Sequence, residues 1–366
     1  MITAVIKTAL LFGGRSAEHE VSILSARSVA EAAPRQRVEL IPMCIAKDGR
    51  FVGPERSARI LGGSEKSEQG DKDFSFDSWC RGAALDVVFP LIHGTGGEDG
   101  TLQGYLEMLG LPYVGSGVTA SAVGMDKAHM KHAFAAAKLP MVESVVVLES
   151  EWKNERDRIT RAVNNALRLP YFVKPANSGS SVGVTKVKND KDLGDAIAFA
   201  FRFDEKVLVE RGIDAREIEI AVLGNDKPEA SVPGEIVAGR EFYDYSDKYI
   251  EEGSQLVIPA KLAKDKLEEV RRLALAAFRA IGAAGLARVD FFLERGTNRL
   301  YVNEINTLPG FTKISMYPKL WEATEVKYPR LIERLLELGI ERSKSRAARY
   351  ATAMRWFDEV KTIVSS

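Results

Sequence analysis

The residues best suited to chemistry lie near the end of the chain, on two consecutive predicted strands. Residues 287–294 and 299–304 read as these strands, and Gly296-Thr297-Asn298 has the composition of a three-residue hairpin loop. We therefore expect an antiparallel hairpin in which Arg295 pairs with Arg299. This pairing fixes the register of the hairpin, and with it the side chains that face one another.

In that register Asp290 lies opposite Glu304 and Arg288 lies opposite Asn306, with all four side chains on one face. Carboxylates that face each other across a ladder repel, and a divalent cation removes that repulsion. Asp, Glu and Asn oxygens are the ligands that magnesium prefers, and an adjacent arginine indicates phosphate chemistry. The alternative is a solvated face with an incidental charge cluster. Against it, apolar neighbours predict strands buried on both faces, where unpaired carboxylates are costly. These neighbours are Phe291, Phe292, Leu300 and Val302.

A loop rich in glycine and serine, residues 176–183, follows a strand that ends near Lys174. A lysine ammonium and the backbone N–H groups of such a loop can hold phosphate oxygens. The lysine precedes the glycines, so the loop does not have the nucleotide-binding pattern G-x-x-x-x-G-K-[ST]. A flexible hairpin turn explains the loop equally well when it is taken alone. Together with the acidic hairpin, it predicts a nucleotide clamp with loop and metal site on opposite sides.

The elements that must position these residues change character along the chain. Strands and helices alternate in the first third, with strands at 8–12, 38–46 and 86–93, which predicts a mostly parallel sheet covered by helices. A second segment of mixed helices and strands opens near Met125. The last segment begins with strands at about Glu217. The whole chain is therefore predicted to be α/β, with α+β character in its C-terminal part.

The last segment also contains an aperiodic, tyrosine-containing stretch at 240–258, which follows a strand predicted at 235–238. A connection of this length is either a functional lid or disordered. Two separate helices, 329–338 and 346–363, are predicted to close the chain.

Composition and charge exclude several classes of protein. The 366 residues suffice for two or three domains, and 51 basic against 51 acidic residues argue against nucleic acid as the main partner. No run of 18 apolar residues is present, so we expect no membrane span, and the N-terminus lacks the layout of a signal peptide. Cys44 and Cys80 are too few for a disulfide framework or a cysteine-rich metal site. We expect a cytoplasmic protein.

Taken in chain order, the chemical residues resemble the ATP-grasp superfamily: Lys174 with its loop, Glu210, Arg288-x-Asp290 and Glu304-x-Asn306. Within that superfamily the chain is similar to D-alanine–D-alanine ligases along nearly its whole length. The stretches that carry this resemblance are residues 13–22 (GGRSAEHEVS), 93–100 (HGTGGEDG), 113–117 (YVGSG), 125–127 (MDK), 242–249 (FYDYSDKY) and 303–312 (NEINTLPGFT).

The resemblance implies a three-domain ATP-grasp architecture and an activity. The expected division is an N-terminal parallel-sheet domain at 1–124, a central subdomain with the Gly/Ser loop at 125–214, and a C-terminal subdomain with lid and metal site at 215–366. Ligases of this family use ATP to phosphorylate the carboxylate of one D-alanine. The amine of a second D-alanine then attacks the acyl phosphate, which supplies a dipeptide for peptidoglycan.

Roles for individual residues follow from the resemblance alone. For the nucleotide it implies Lys127, Lys174, Ser181, Glu210, Arg211, Ile213, Glu217, Phe242 and Phe292, with Lys127 and Lys174 on the phosphates and Glu210 on the ribose. For two Mg²⁺ or Mn²⁺ ions it implies Asp290, Glu304 and Asn306. For the two substrates and the reaction it implies Glu18, His93, Ser180, Lys248, Tyr249, Arg288, Gly310 and Ser315. Ser180 and Tyr249 are expected to link the lid to Glu18 by hydrogen bonds.

Several of these residues also have explanations that need no ligase. Glu18 in the first turn of a helix also complements the helix dipole. His129 and His132, three apart on a helix, lack a nearby third metal ligand. Ser180 and Ser181 lack the His–Asp partners of an acyl-enzyme nucleophile. Two residues near the substrate motifs depart from the family pattern: Gly97, where a larger apolar residue is common, and Lys313, where a small polar one is frequent.

Three functions compete at this point. The favoured one is a D-alanine–D-alanine ligase that acts as a homodimer on D-alanine and ATP, without nucleic acid or membrane partners. Its nearest rival takes D-lactate or D-serine as second substrate, and the Lys248-Tyr249 pair favours D-alanine. A non-catalytic nucleotide-binding regulator is the third, and the retention of every motif residue argues against it.

Overall fold

The structure is a computed structural model and describes residues 5–237 and 255–364. Within these described residues, three β-sheets follow one another in chain order, each covered by helices. The elements of the first part are β1 (Ile6–Gly13), α1 (His19–Ala32), β2 (Val38–Ile45), β3 (Phe51–Val52), α2 (Pro54–Gly62), α3 (Phe76–Ala83), β4 (Val87–Pro90), α4 (Thr101–Met108) and α5 (Val118–Met125).

The first sheet has the strand order β3-β2-β1-β4, and β1 runs parallel to both β2 and β4. β1 is a continuous apolar run because both of its faces are buried: Leu10 and Phe12 enter one core, and Ala9 and Leu11 enter another. The short edge strand β3 is antiparallel to β2. The predicted mostly parallel sheet is confirmed.

The second part carries a four-stranded antiparallel sheet of order β5-β8-β6-β7. Helices α7 and α8 bury one face of this sheet, and the other face carries Phe172, Lys174 and Glu210. Its elements are α6 (Lys127–Ala136), β5 (Ser144–Leu148), α7 (Glu149–Ala166), β6 (Tyr171–Pro175), β7 (Thr185–Val187), α8 (Leu193–Ala200) and β8 (Lys206–Arg211).

The third part carries a six-stranded sheet of order β12-β11-β9-β13-β14, with β10 beside β9. Its elements are β9 (Ala215–Gly224), β10 (Glu229–Ala230), β11 (Gly234–Val237), β12 (Gln255–Val257), α9 (Lys264–Ala280), β13 (Gly285–Glu294), β14 (Leu300–Asn306), α10 (Met316–Glu322) and α11 (Tyr328–Val364). The predicted lid therefore contains a strand at its end, and residues 240–254 of it lie outside the described residues.

One face of the third sheet is buried under α9, and the opposite face carries the acidic residues. Val289 and Phe291 point into the core with α9, whereas Asp290 and Phe292 line a cavity. The predicted burial of both hairpin faces is therefore wrong. The alternation is that of an antiparallel sheet with one face against the core and one face turned to solvent or ligand.

The β13–β14 hairpin pairs Arg288 with Asn306 and Asp290 with Glu304, as the sequence predicted. The route to that register differs, because Glu294 rather than Arg295 binds the backbone of Arg299. The loop is thus one residue longer than expected. A β-bulge beyond Asp290 restores the register, since Phe291 pairs with Val302 and leaves Asn303 as the extra residue.

The chain closes with a single helix, α11, where two helices were predicted. The first part of α11 packs on the core of the first sheet through Leu331, Leu335 and Leu336, which lie in one cluster with Leu10 and Phe89. No proline or glycine breaks the pattern after Gly339, so the helix continues to residue 364. Within the described ranges, no helix combines the length and apolar composition needed to cross a bilayer.

Candidate active site

A cavity of about 700 Å³ lies between the second and third sheets. The second sheet supplies Phe172, Lys174 and Glu210, the third supplies Glu217, Arg288 and Asp290, and the Gly/Ser loop extends from the second sheet at one side. Predicted nucleotide and metal residues are thus brought together from strands that are far apart in sequence. The predicted site residues that line the cavity are Lys127, Lys174, Ser180, Ser181, Glu210, Arg211, Ile213, Glu217, Arg288, Asp290, Phe292 and Glu304.

Glu210 on β8 forms the centre of a cationic cluster. Its carboxylate is buried and is held by Lys131 at 2.5 Å and by Lys174, which reaches it from the neighbouring strand β6. Burial alone raises the pKa of a carboxyl, but the two ammonium groups outweigh it and lower the pKa of Glu210. Burial lowers the pKa of Lys131. The cluster holds two like charges in place through one shared carboxylate.

Helix α6 begins beside this cluster and carries both Lys127 and Lys131. Asp126 caps it by accepting hydrogen bonds from the N–H groups of Ala128 and His129 at 3.0 Å. Asp126 also accepts a hydrogen bond from Lys206 on β8 at 2.6 Å. Burial opposes ionisation, but these bonds lower the pKa of Asp126 to about 2.

Lys127 lies where the cationic cluster meets the opposite wall. Its ammonium donates to the carbonyl oxygen of Ser178 in the Gly/Ser loop at 2.8 Å and lies 3.8 Å from a carboxylate oxygen of Glu304. This lysine therefore ties the loop to the acidic hairpin.

The acidic wall is a row of three carboxylates across three strands. Glu219 on β9 pairs with Asp290 on β13, which pairs with Glu304 on β14. Arg288 donates two hydrogen bonds of 2.7 Å to Asp290 and lies 3.0 Å from Glu219. Burial disfavours its charge, but the carboxylates of Asp290 and Glu219 outweigh burial and raise the pKa of Arg288 well above its ordinary value. The guanidinium thereby offsets the repulsion that the sequence analysis assigned to a metal.

The donor set of this wall suits a hard divalent cation. Asp290 and Glu304 offer carboxylate oxygens on one side of the hairpin, and Asn306, two residues along β14 from Glu304, offers an amide oxygen that already accepts the N–H of Leu308 at 3.0 Å. Within the described ranges, no three His, Cys, Asp or Glu side chains are grouped so that they could hold a metal ion by themselves.

The Gly/Ser loop reaches the first part of the chain through a hydrogen bond from Ser180 to Glu18. Glu18 is the residue before α1, and its side chain makes no capping hydrogen bond to that helix. Ser180 and Ser181 both have positive φ, of 49° and 60°, a conformation that costs energy for residues other than glycine. The predicted contact between Ser180 and Glu18 is present, and the loop is held in a strained form around it.

The other predicted substrate residues lie outside the cavity lining, around Glu18 and in the segment after β14. A Cβ on Gly94 would lie 2.8 Å from the Glu18 carboxylate, and the adjacent His93 contacts the carbonyl of Leu308 at 3.2 Å. Two residues further on, Gly310 lies against Ser315.

His93 is buried, with both ring nitrogens engaged. One contacts Ser25 at 2.9 Å, and the other lies 3.5 Å from Glu98. Burial lowers the pKa of a histidine, but the hydrogen bond and charge of Glu98 raise the pKa of His93 above its ordinary value. Burial also raises the pKa of Glu98. The pair joins the first sheet to the segment after β14.

Arg211 and Ile213, which the resemblance assigns to the nucleotide, lie in a segment that lines the end of the cavity next to Pro170. Gly212 donates a 2.7 Å hydrogen bond to the Pro170 carbonyl, and Arg211 donates to Glu143 at 2.6 Å. Ile213, Glu217 and Phe292 line the same cavity. Three further predicted residues, Phe242, Lys248 and Tyr249, lie outside the described residues.

The two departures from the family pattern have different structural settings. A Cβ on Gly97 would lie 2.0 Å from the carbonyl oxygen of Ile92, so this backbone has no room for a side chain. Lys313 is exposed and pairs with Glu31 at 2.6 Å on the outside of α1. His129, which was considered as a metal ligand, instead lies with its ring nitrogen 3.0 Å from the carboxylate of Asp126.

Three neighbours of the predicted site residues were not predicted from the sequence. Lys131 follows Lys127 by one helical turn, and this i, i+4 spacing puts both lysines on one face of α6. Glu219 follows Glu217 by two residues, so both face the cavity from one strand. Glu98 lies five residues after His93 in a loop, and no periodic signal marks it.

Comparisons with known proteins agree with this geometry. Residues 7–116 match the family model described as D-ala D-ala ligase N-terminus, and residues 133–337 match the one described as D-ala D-ala ligase C-terminus. The D-alanine–D-alanine ligase of Halothermothrix orenii is 48% identical over 339 residues, covering 92% of this chain and 98% of the relative. That of Chloroherpeton thalassium is 45% identical over 362 residues, covering 94% and 98%.

Two solved structures are similar over nearly the whole chain. The D-alanine–D-alanine ligase from Coxiella burnetii has a TM-score of 0.78 at 33% identity, covering 95% of this chain and 99% of that one. The VanG D-Ala:D-Ser ligase from Enterococcus faecalis has a TM-score of 0.81 at 32% identity, covering 92% and 100%. The resemblance and the three-domain architecture predicted from the motifs are confirmed, and the chain belongs to the D-alanine–D-alanine ligase family of ATP-grasp enzymes.

Proposed function

We propose that the chain joins two D-alanine molecules into D-alanyl-D-alanine at the expense of ATP. The observation that carries this proposal is the cavity between two walls, with the Gly/Ser loop bound to Glu18 at one end. The cationic wall is formed by Lys131 and Lys174 around Glu210, with Lys127 at its edge, and it faces the acidic wall. In such a cavity the cationic wall can bind the phosphate chain of a nucleotide, and the end closed by the loop can bind a substrate that carries a carboxylate. Family membership supports the same reaction.

The reaction has two displacements. A carboxylate oxygen of the first D-alanine attacks the γ-phosphorus of ATP, and ADP leaves. The nitrogen of the second D-alanine then attacks the acyl carbon, loses a proton, and inorganic phosphate leaves as the peptide bond forms. Phosphorylation is needed because a carboxylate is a poor electrophile without a good leaving group.

Residues of the cationic wall bind the nucleotide in this proposal. Lys127 and Lys174 contact the phosphates, the N–H groups of the Gly/Ser loop with Ser181 add further donors, and Glu210 takes the ribose. Arg211, Ile213, Glu217 and Phe292 surround the base, with Phe242 from outside the described residues.

Asp290, Glu304 and Asn306 would hold two Mg²⁺ or Mn²⁺ ions on the acidic wall, where the metal neutralises developing phosphate charge. Glu18 takes the ammonium of the first D-alanine, with His93 close by. Ser180 keeps the loop on Glu18, while Lys248 and Tyr249 act from the segment outside the described residues. Water is excluded because an acyl phosphate hydrolyses readily.

Arg288 takes the second D-alanine together with Gly310 and Ser315. A guanidinium fixed by Asp290 and Glu219 needs little reorganisation, so it can stabilise the oxyanion that forms when the amine attacks. Its positive charge also disfavours a cationic amine nearby, which favours the neutral nucleophile.

The wider setting completes the proposal. Each of the ranges 1–124, 125–214 and 215–366 contains one of the three sheets, which supports the division into domains. We place the enzyme in the cytoplasm as a homodimer, where it supplies a dipeptide for peptidoglycan and thus for cell-wall growth and cell shape.

The test supplies ATP and magnesium with D-alanine, with D-alanine plus D-lactate, and with D-alanine plus D-serine, and identifies products by mass spectrometry. We expect ADP, phosphate and D-alanyl-D-alanine, with dipeptide formation rising between about pH 6 and pH 9 as the amine loses its proton. ATP binding without turnover on any pair would overturn the proposal in favour of a regulator. A depsipeptide that dominates at pH 6 would assign the chain to the D-lactate ligases.

D-serine is a second candidate because one similar structure is a D-Ala:D-Ser ligase. Competition between equal concentrations of D-alanine and D-serine separates the two. We expect D-alanyl-D-alanine to dominate, and predominant D-alanyl-D-serine would contradict this expectation.

A further inference from the structure

Lys131 is a buried lysine that none of the proposed roles uses. It lies on α6, one turn after Lys127, and is 7% exposed. Lys127, Lys174 and Glu210 line the cavity, whereas Lys131 is absent from the lining. Its ammonium therefore reaches Glu210 from behind the cavity wall. A lysine is rarely buried in this way unless it is paired, so the pairing is the place to look for its purpose.

The carboxylate of Glu210 gives one oxygen to each of its two lysines. Oε1 lies 2.5 Å from the ammonium of Lys131, and Oε2 contacts the ammonium of Lys174. Glu210 is only 2% exposed, so its charge depends on these two partners rather than on water. Because Lys174 lines the cavity and Lys131 does not, a ligand in the cavity can compete for Oε2 but not for Oε1.

The position of Lys131 is fixed by the helix that carries it. Its neighbours on α6, Met130 and Phe134, are fully buried in the core that includes α9. The Lys131 ammonium also lies 3.5 Å from the carbonyl oxygen of Val142. Lys174, in contrast, stands at the end of β6, directly before the Gly/Ser loop. Of the two lysines, Lys131 is the one that a bound ligand leaves in place.

The roles proposed for Lys174 and Glu210 compete with the contact that joins them. Lys174 is assigned to the phosphates and Glu210 to the ribose, yet each binds the other in the structure. When a phosphate takes the ammonium of Lys174, Oε2 of Glu210 loses its counter-charge. A buried carboxylate without any counter-charge is strongly unfavourable. Lys131, on Oε1, is the cation that remains with it.

We propose that Lys131 is a positioning residue for the nucleotide. Through Oε1 it keeps Glu210 charged and in place, so that Oε2 accepts a hydrogen bond from a ribose hydroxyl once Lys174 binds the phosphates. This inference rests on the nucleotide roles in the proposed function, and it adds a residue that touches neither nucleotide nor amino acid. It makes the site selective for ribose, because a nucleotide without the hydroxyl leaves a buried oxygen unsatisfied.

The balance of charge supports the same division of roles. Before a nucleotide binds, two ammonium groups share one carboxylate, and the excess positive charge attracts phosphate. Burial lowers the pKa of Lys131, and the charge of Lys174 acts in the same direction. When Lys174 turns to the phosphates, Lys131 and Glu210 are left as a neutral pair, and the repulsion between the two lysines is relieved.

The test measures nucleotide binding to the full chain without turnover, by isothermal titration calorimetry in magnesium. The ligands are ADP, 2′-deoxy-ADP and 3′-deoxy-ADP. We expect the wild type to bind at least one deoxynucleotide about tenfold more weakly than ADP. Lys131→Met keeps the length of the side chain and removes its charge. In this variant we expect ADP to bind about tenfold more weakly and the preference over that deoxynucleotide to fall to about twofold.

Three further variants separate positioning from a general effect on the fold. Lys131→Arg keeps the charge and should keep most of the preference for ADP. Lys206→Met removes another largely buried lysine outside the cavity lining, one that pairs with Asp126 at 2.6 Å, and should leave the preference unchanged. Adding Lys131→Met to Glu210→Gln should change the preference no further, because Lys131 acts through Glu210. Thermal unfolding and helix content show that each variant is folded.

Two outcomes would overturn the inference. One is a wild type that binds all three nucleotides equally, because Glu210 would then not contact the ribose. The other is a Lys131→Met variant that weakens all three by the same factor, which is the result of a purely structural role. Lys131→Gln, with a polar but uncharged end, repeats the test in a second variant. The expected preferences in a chain that makes no dipeptide would support this inference and contradict the proposed function.

Discussion

The two walls of the cavity solve the same electrostatic problem with opposite signs. On the second sheet, Lys131 and Lys174 surround Glu210, and on the third sheet Glu219 and Asp290 surround Arg288. In each case one central charge holds two charges of the opposite sign. Lys127 stands at the edge of the cationic wall and Glu304 at the edge of the acidic wall. The Lys127 ammonium lies 3.8 Å from a carboxylate oxygen of Glu304.

Neither wall is merely a set of salt bridges that stabilise the fold. Buried pairs contribute little net stability, because desolvation offsets their attraction. The central charge fixes positions: it keeps two like charges close together at a cavity surface. Because two charges share one counter-charge, each can still attract a ligand of the opposite sign. The cationic wall then suits phosphates, and the acidic wall suits cations and the groups bound to them.

The largest effect should come from the edge of the acidic wall. Glu304→Gln removes a charge that this proposal assigns to magnesium, so we expect turnover to fall about three to four orders of magnitude, or roughly 4–5 kcal/mol of barrier. Thermal unfolding should be nearly unchanged. Glu268→Gln, on the exposed side of α9, is the matched control. Near-normal turnover in saturating magnesium would remove Glu304 from the metal site.

Removing the centre of the cationic wall should act on folding. Glu210→Gln leaves two buried ammonium groups without their carboxylate, and we expect the free energy of unfolding to fall by about 3 kcal/mol in urea titrations. Adding Lys131→Met should recover more than about 1 kcal/mol, because one stranded charge is then removed. Glu143→Gln, at an exposed ion pair, should change less than about 0.5 kcal/mol. Equal losses at both sites would refute a special role for the buried cluster.

The stability that Asp126 contributes as the cap of α6, the helix that carries Lys127 and Lys131, should depend on pH. The folded pKa of Asp126 is about 2 against an ordinary 3.8, so its contribution is present above pH 3.8 and is lost as pH falls towards 2. We expect Asp126→Asn to cost roughly 2 kcal/mol at pH 6, with the difference from wild type closing between pH 4 and pH 2. Unfolding measured across that range checks it. A gap that stays constant with pH would show that Asp126 acts without its charge.

The smallest effect should come from the loop that bridges the walls. Ser180→Ala removes the hydrogen bond to Glu18, and we expect KM for D-alanine to rise about tenfold, the equivalent of ~1.4 kcal/mol. KM for ATP should change less, since Glu18 is assigned to the amino acid. Ser178→Ala serves as the control, because Ser178 binds Lys127 through its backbone carbonyl and the substitution keeps that group. A parallel rise in both KM values would indicate that the loop acts on the nucleotide.

How far the sequence predicted this site depends on the kind of signal. The facing of Asp290 with Glu304 followed from alternation along two strands, a local rule that held. Lys131 and Glu219 obey equally simple periodicities, but nothing in a single sequence says which neighbour on a face is used. The hydrogen bond from Ser180 to Glu18 spans 162 residues, and only the family resemblance predicted it.

The errors in the fold have physical causes as well. The continuity of α11 was missed because the apolar pattern changes where the helix leaves the core, and that change resembles a boundary. The hairpin loop was given three residues because Gly296-Thr297-Asn298 fits a common turn. The extra residue cannot be seen without the bulge that compensates for it.

That compensation has a consequence for how the hairpin tolerates change. The part of the hairpin between the loop and the bulge pairs in a register one residue different from the part that carries Asp290 and Glu304. The bulge therefore separates the loop at 295–298 from these two carboxylates. A length change in the loop has a place to be absorbed before it reaches the carboxylates. The extra residue at the bulge, Asn303, can take up such a change. The length of the turn can therefore vary through evolution or redesign while Asp290 and Glu304 stay opposite each other.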